Sequence, residues 1–243
     1  MIFIDTPGLH SPKTKLGEQM VRNAKGSVRE VDAVLLMTDA RDDRIGKQDE
    51  EVLRLANTNG VPVILVINKI DLVKKEDILP IIDMYQKAFN LSLIIPTSAL
   101  SGDGKAELLK GIEQILPIGE MLYPENMITD MTEKDIAAEK IREKALRYLD
   151  KEIPHGIGVG IDRFKFIDEK GIYEIFATIF CEKESHKSII IGKNGAVLKR
   201  IGSDARADIQ RMLGEKIYLE LWVKVKKDWR NSNPMLKTLG FSD

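Results

Sequence analysis

Asn68-Lys69-Ile70-Asp71 follows the most apolar run of the chain, Val61 to Ile67. Guanine presents a ring N–H and an exocyclic amine side by side. One carboxylate, Asp71, can accept from both, while Asn68 bonds the other edge and the Lys69 stem lies over the ring. Adenine would set an acceptor against Asp71, a buried mismatch of the kind that discriminates strongly. One strand later, Thr97-Ser98-Ala99-Leu100 offers the Ala99 backbone N–H to the guanine oxygen, with Ser98 beside it. Asp5-Thr6-Pro7-Gly8 precedes both. There Asp5 can hold Mg²⁺ through water, and the Gly8 N–H can meet a terminal phosphate, with Thr6 between them. Each fragment alone is a common polar turn. Three of them in the order phosphate then base, each after its own strand, point to a guanine-nucleotide site.

A second constellation lies in "IIIGKNGAVLKRIG", residues 189–202. Gly192-Lys193-Asn194-Gly195 is a GxxG turn between two helical stretches. Glycines at its ends let a nucleic-acid backbone come close, Lys193 adds charge and Asn194 hydrogen bonding. This is the clamp that KH domains use on about four single-stranded nucleotides. Lys187, Lys199 and Arg200 are the nearest basic supporters, with Arg206 and Arg211 further along. Trp222 and Trp229 could stack on bases, but packing is the preferred reading for both.

The elements that must position these residues are legible in the periodicity. Apolar runs at Met1–Ile4, Ala33–Met37, Val61–Ile67 and Leu93–Ile95 alternate with helical spacing at 15–30, 47–59, 75–89 and 105–116. That pattern predicts a mostly parallel sheet covered on both faces, with its ligand at the carboxyl ends of the strands. Pro117, Gly119 and Pro124 punctuate a junction. A helix over 133–151, strands over 157–167 and 172–182, a helical region over 186–213 and a strand over 217–226 follow. The last strand alternates cleanly, with Ile217, Leu219, Leu221, Val223 and Val225 on one face. The order α-β-β-α-α-β is that of a type II KH domain. The fold class is therefore α/β for the first part and α+β for the second.

The 243 residues are 43% apolar and 31% charged, an ordinary globular composition. No apolar run approaches the ~20 residues of a membrane helix. No basic stretch precedes the apolar start as in a signal peptide. The single cysteine, Cys181, excludes an internal disulfide and reads as a small core residue. Residues 187–243 carry 12 Lys+Arg against 6 Asp+Glu, and the remainder 25 against 32. A basic second half behind an acidic first half suggests two modules, the second facing a polyanion.

The chain resembles the P-loop GTPases, specifically the bacterial Era family, on "DTPGLHSPKTKLGEQM", "NKID", "TSAL" and "YPENMITD". The resemblance runs essentially end to end. It implies that residues 1–116 are the C-terminal part of a Ras-like GTPase domain, 117–132 a linker and 133–243 a type II KH domain with a C-terminal helix. It further implies GTP or GDP with Mg²⁺ as cofactors of the complete protein. The implied partners are the 3′ end of 16S rRNA and the 30S ribosomal subunit, whose maturation GTP would couple to RNA capture. The implied location is the cytoplasm, with peripheral association at the inner membrane. Leu9 stands where Ras-like proteins carry a water-orienting Gln, and His10 reads as structural.

One departure is central. No stretch of the 243 residues reads G-x-x-x-x-G-K-[ST]. The phosphate cradle and first switch are expected upstream of Met1, in a longer protein of which this chain would be a fragment. The expectation is that this chain alone neither binds nor hydrolyses GTP measurably. Without the strand that carries the P-loop, residues 1–116 are expected to be molten or aggregation-prone. An alternative reading is a nucleotide-independent RNA-binding module with a vestigial GTPase part. A double-GTPase ribosome-assembly factor of the Der type is disfavoured, because its KH-like domain lacks a GxxG.

Overall fold

The computed structural model describes residues 1–5, 14–28, 30–124, 127, 129–149 and 156–240. The chain forms two compact units, the first of Met1–Lys13 and Gly17–Met121, the second of Thr14–Leu16 and Leu122–Asp243.

The first unit is built on three parallel strands, β1 (Val34–Asp39), β2 (Val63–Asn68) and β3 (Leu93–Pro96), in the order β1-β2-β3. Val34 pairs with Val63 and Ile64 with Leu93. The helices are α1 (Lys15–Ser27), α2 (Lys47–Thr58), α3 (Lys75–Ala88) and α4 (Lys105–Ile115). Because β2 is apolar at successive positions, it must be covered on both faces, and it is. Leu65 and Ile67 pack with Leu53 and Ala56 of α2 and Ile81 and Tyr85 of α3. Ile64 and Val66 pack with Ile112 of α4 on the other side.

The cover is uneven. Leu35 and Met37 of β1 stand level with Ile64 and Val66, yet they are 38% and 55% exposed. Helix α4 reaches β2 and β3 but leaves this stretch of β1 open. The expected buried strand at Met1–Ile4 is a correction. These four residues form no strand, and all are at least half exposed. A strand exists only with a ladder partner, and among the described residues β1 has no neighbour except β2.

The second unit sets three helices on one face of a mixed sheet. Helix α5 (Glu133–Tyr148) precedes β4 (Gly158–Ile167) and β5 (Ile172–Cys181). Then come α6 (Glu184–Ile191), α7 (Ala196–Leu213), β6 (Lys216–Val225) and α8 (Asn233–Thr238). β4 and β5 are antiparallel, β5 and β6 parallel, and β5 is central. Thr132 caps α5: its hydroxyl accepts from the Asp135 N–H at 3.2 Å and donates to the Asp135 carboxylate at 2.6 Å. A stripe of Ala137, Ile141 and Ala145 on α5 meets Ile201, Ala205 and Ile209 of α7 over Ile175, Ala177 and Ile179 of β5. Spacing of four residues puts each stripe on one helix face. Cys181 is buried in this core. No helix among the described residues is long and apolar enough to cross a membrane.

Candidate functional sites

At the carboxyl end of the first sheet, the two sequence-predicted base-reading loops are stitched together. Asn68 ends β2 and accepts the Ala99 N–H at 3.0 Å and the Thr97 hydroxyl at 3.4 Å through the same oxygen. The Ile70 N–H donates to the Thr97 carbonyl at 3.1 Å. Ser98, almost fully buried, donates to Asp71 Oδ1 at 2.6 Å. The other Asp71 oxygen has no hydrogen-bond partner among the described residues, so it is available to paired donors of a base. The Ala99 N–H, expected to serve the guanine oxygen, here serves Asn68. To serve a base it would have to share or release that bond.

Lys69 adopts φ 65°, in the left-handed region. A non-glycine residue there costs on the order of 1–3 kcal/mol and persists only where its surroundings hold it. The Ile70 N–H on the Thr97 carbonyl anchors the adjoining peptide, and Lys69 Nζ donates to Asp39 Oδ2 at 2.7 Å, at the end of β1. Arg41 grips the same carboxylate with Nε at 2.9 Å and an Nη at 2.6 Å. The Arg41 hydrogen bonds, then that of Lys69, hold the Asp39 carboxyl well below the usual carboxylate range. Thr38-Asp39 is legible in the sequence as a polar cluster at the carboxyl end of a strand, but its pairing with Lys69 is not, and Arg41 was not singled out. The structure sets Asp39 at the end of β1 level with Asn68.

Asp5 is exposed. Thr6 and Gly8, with Leu9 and His10, lie outside the described residues. Among the described residues, no cluster of three or more His, Cys, Asp or Glu side chains is disposed to hold a metal. The residues present thus fit the base of a guanine nucleotide, while Asp5 is the sole described candidate for its Mg²⁺.

In the second unit, α6 and α7 meet at the GxxG turn. Gly192 has φ 73°, and a Cβ there would stand 2.5 Å from Val197 Cγ2 and 3.0 Å from the Val197 N. Only glycine fits. Asn194 has φ 52° and Gly195 φ 77°, and a Cβ at Gly195 would meet nothing within 4 Å. The turn is closed by the Gly192 N–H on Ser188 O at 2.9 Å and the Gly195 N–H on Gly192 O at 3.2 Å. Lys193, Lys199 and Arg200 are exposed and Lys187 half-buried. None of the four pairs with a carboxylate among the described residues, whereas Arg211 pairs with Asp208 at 3.2 Å. The Arg200 guanidinium carbon lies 4.5 Å from the centroid of the Tyr148 ring.

The two tryptophans part company. Trp229 is buried and donates its indole N–H to the Gly156 carbonyl at 3.1 Å. Trp222 is 38% exposed and meets Phe176 edge-on at 5.6 Å.

Comparison with known proteins adds to this geometry. Residues 1–118 match the family of the elongation factor Tu GTP binding domain, and residues 152–230 match a KH domain family. The chain is 52% identical over 241 residues to GTPase Era of Ruminiclostridium cellulolyticum, covering 99% of this chain and 80% of that protein. It is 49% identical to GTPase Era of Clostridium kluyveri, covering 99% and 82%. Two solved structures superpose with a TM-score of 0.90 at 41% identity, each covering 98% of this chain and 81% of theirs. One is a variant of Aquifex aeolicus Era bound to GDP·AlF4⁻. The other is Era in complex with MgGDPNP and nucleotides 1506–1542 of 16S ribosomal RNA.

Proposed function

The chain belongs to the Era family of GTPases, and from that premise we propose that it binds single-stranded 16S rRNA through the GxxG turn and a guanine base through Asn68, Asp71 and Ala99. The observation that carries the RNA reading is the turn itself. Gly192 admits no side chain, Gly195 faces open space, and Lys193, Lys199 and Arg200 beside it have no carboxylate partner among the described residues. Phosphates approach such a surface without displacing an existing ion pair. The Era structure that holds nucleotides 1506–1542 supports the 3′ end of 16S rRNA as the target. Small-subunit maturation in the cytoplasm is the role that follows.

The nucleotide reading rests on the hydrogen-bonded loops at the end of β2 and β3. In it, the Lys69–Asp39 pair keeps the lysine stem beside the base. A bound guanine nucleotide would bring phosphates and Mg²⁺, for which Asp5, Thr6 and Gly8 are the proposed contacts. Because the 243 residues hold no G-x-x-x-x-G-K-[ST], this polypeptide's RNA binding is proposed not to depend on nucleotide. GTP hydrolysis is proposed only for a protein that also carries a P-loop.

The test is RNA affinity of the Gly195→Asp variant for the 1506–1542 fragment of 16S rRNA. A carboxylate placed where phosphates pass is expected to weaken binding at least tenfold. Unchanged affinity would remove the turn from the interface. For the base, Asp71→Asn exchanges an acceptor for a donor. In a P-loop-bearing protein it is expected to shift preference from guanine to xanthine nucleotides, and retained guanine preference would defeat the assignment.

A further inference from the structure

Helices α5 and α7 run antiparallel, and beside their apolar seam stands a ladder of polar contacts. Lys144 pairs with Asp208. One turn along, the Tyr148 hydroxyl donates to Asp204. One turn further, the guanidinium of Arg200 lies over the Tyr148 ring. The ladder therefore runs toward the GxxG end of α7, where Arg200 stands five residues beyond Gly195.

The last rung is chemically unusual. Arg200 and Asp204 are four apart on α7, a spacing at which arginine and aspartate commonly pair. Here Asp204 bonds the tyrosine instead, and Arg200 pairs with no carboxylate among the described residues. A guanidinium held on a ring face needs no hydrogen-bond acceptor, so its N–H donors are left for an anion. No carboxylate among the described residues neutralises its charge, and the ring contact restrains its side chain, which lowers the entropy cost of gripping a phosphate.

Resting on the RNA reading above, we propose that Tyr148, fixed by Asp204, is a positioning residue that presents Arg200 to a phosphate of the RNA strand crossing the GxxG turn. Tyr148 touches no RNA in this role and acts through Arg200 alone. Asp204 acts one step further back, by fixing the tyrosine.

The experiment uses the full chain and the 1506–1542 RNA fragment over a salt series. Arg200→Gln is expected to weaken binding about tenfold and to reduce the slope of log K against log [salt] by about 0.7, one phosphate contact on a single strand. Tyr148→Leu is expected to weaken binding roughly two- to fivefold, the worth of an exposed cation–π contact, and to lower the slope in the same direction. Combining it with Arg200→Gln is expected to add nothing, because the tyrosine has nothing left to position. Tyr148→Phe keeps the ring but loses the bond to Asp204 and frees that carboxylate, four residues from Arg200, and is expected to weaken binding by less than Tyr148→Leu does.

Additive losses in the double variant, or a Tyr148→Leu slope equal to the parent's, would overturn the proposal and leave Tyr148 a packing residue. Gly195→Asp run alongside separates the two levels. If it retains affinity, the RNA reading itself has failed. If it loses affinity while Tyr148→Leu does not, only the positioning role has.

Discussion

Two three-stranded sheets stand in one chain, and they solve burial differently. In the first, the central strand β2 is buried on both faces, so its core is split. A large cluster lies under α2 and α3, and a small one of Ile64, Val66 and Ile112 lies under α4. In the second, α5, α6 and α7 gather on one side, and a single cluster joins them to all three strands. The first arrangement needs both covers and a paired edge to be complete. The second needs one cover, and α5–α7 supply it. A sheet that binds its ligand at its strand ends must be continuous up to that end, whereas a helix–turn–helix clamp needs only a firm floor.

The largest expected consequence is independence. Residues 122–243 expressed alone are expected to unfold cooperatively in urea with near-native circular dichroism. Residues 1–121 alone are expected to show no cooperative transition. Each buried backbone group left unpaired costs about 1–3 kcal/mol, set against a total stability of only about 5–15 kcal/mol for a domain. A sharp, reversible transition for 1–121 would break the contrast and show that the split core suffices.

That contrast also marks what was legible in the sequence. Asn68, Asp71, Ser98 and Ala99 could be found because each follows an apolar run, and runs of that kind end at the ligand side of a parallel sheet. Gly192 and Gly195 could be found because they interrupt one helical period. Met1–Ile4 was misread because an apolar run reports burial wanted, and no local pattern reports whether a ladder partner exists. Asp39 holding Lys69 across 30 residues depends on register, which the sequence does not state. Tyr148 with Arg200 depends on how two helices cross. Trp222 and Trp229 drew the same reading, yet Trp222 stands exposed on β6 while Trp229, beyond the strand, is buried against Gly158.

A smaller effect sharpens the account of the second unit. Asp208 is held below the usual carboxylate range chiefly by its hydrogen bond to Lys144, and Lys144 is raised chiefly by the same bond. A depressed carboxyl stabilises the fold above its unfolded value of about 3.9, and that contribution is lost as pH falls through the folded value. Both tryptophans lie in this unit, so tryptophan fluorescence of the full chain follows its unfolding. Urea midpoints are expected to fall below pH 4 in the parent. Asp208→Asn should lower the midpoint at pH 7 and leave it little changed at pH 2, so that the two curves converge. Parallel curves across that range would remove the pair from the stability of the α5–α7 seam.

The smallest expected effect concerns the open stretch of β1. Met37 is 55% exposed, and its described polar contact is a long one, from the Asn68 amide to its sulfur at 3.7 Å. A side chain in that position has little apolar surface to lose on substitution. Met37→Thr keeps a good strand former and is expected to change stability by no more than about 0.5 kcal/mol. Its effect on solubility should be larger, because Leu35, Met37 and a β1 edge with no strand partner among the described residues together form a surface that invites strand pairing between copies. Concentration-dependent light scattering of the full chain is expected to fall in Met37→Thr and to fall further with Leu35→Thr added. If instead Met37→Thr destabilises by 2 kcal/mol or more, Met37 is covered in solution. The first sheet would then be better closed than its exposed β1 implies, and the difference drawn between the two sheets would narrow.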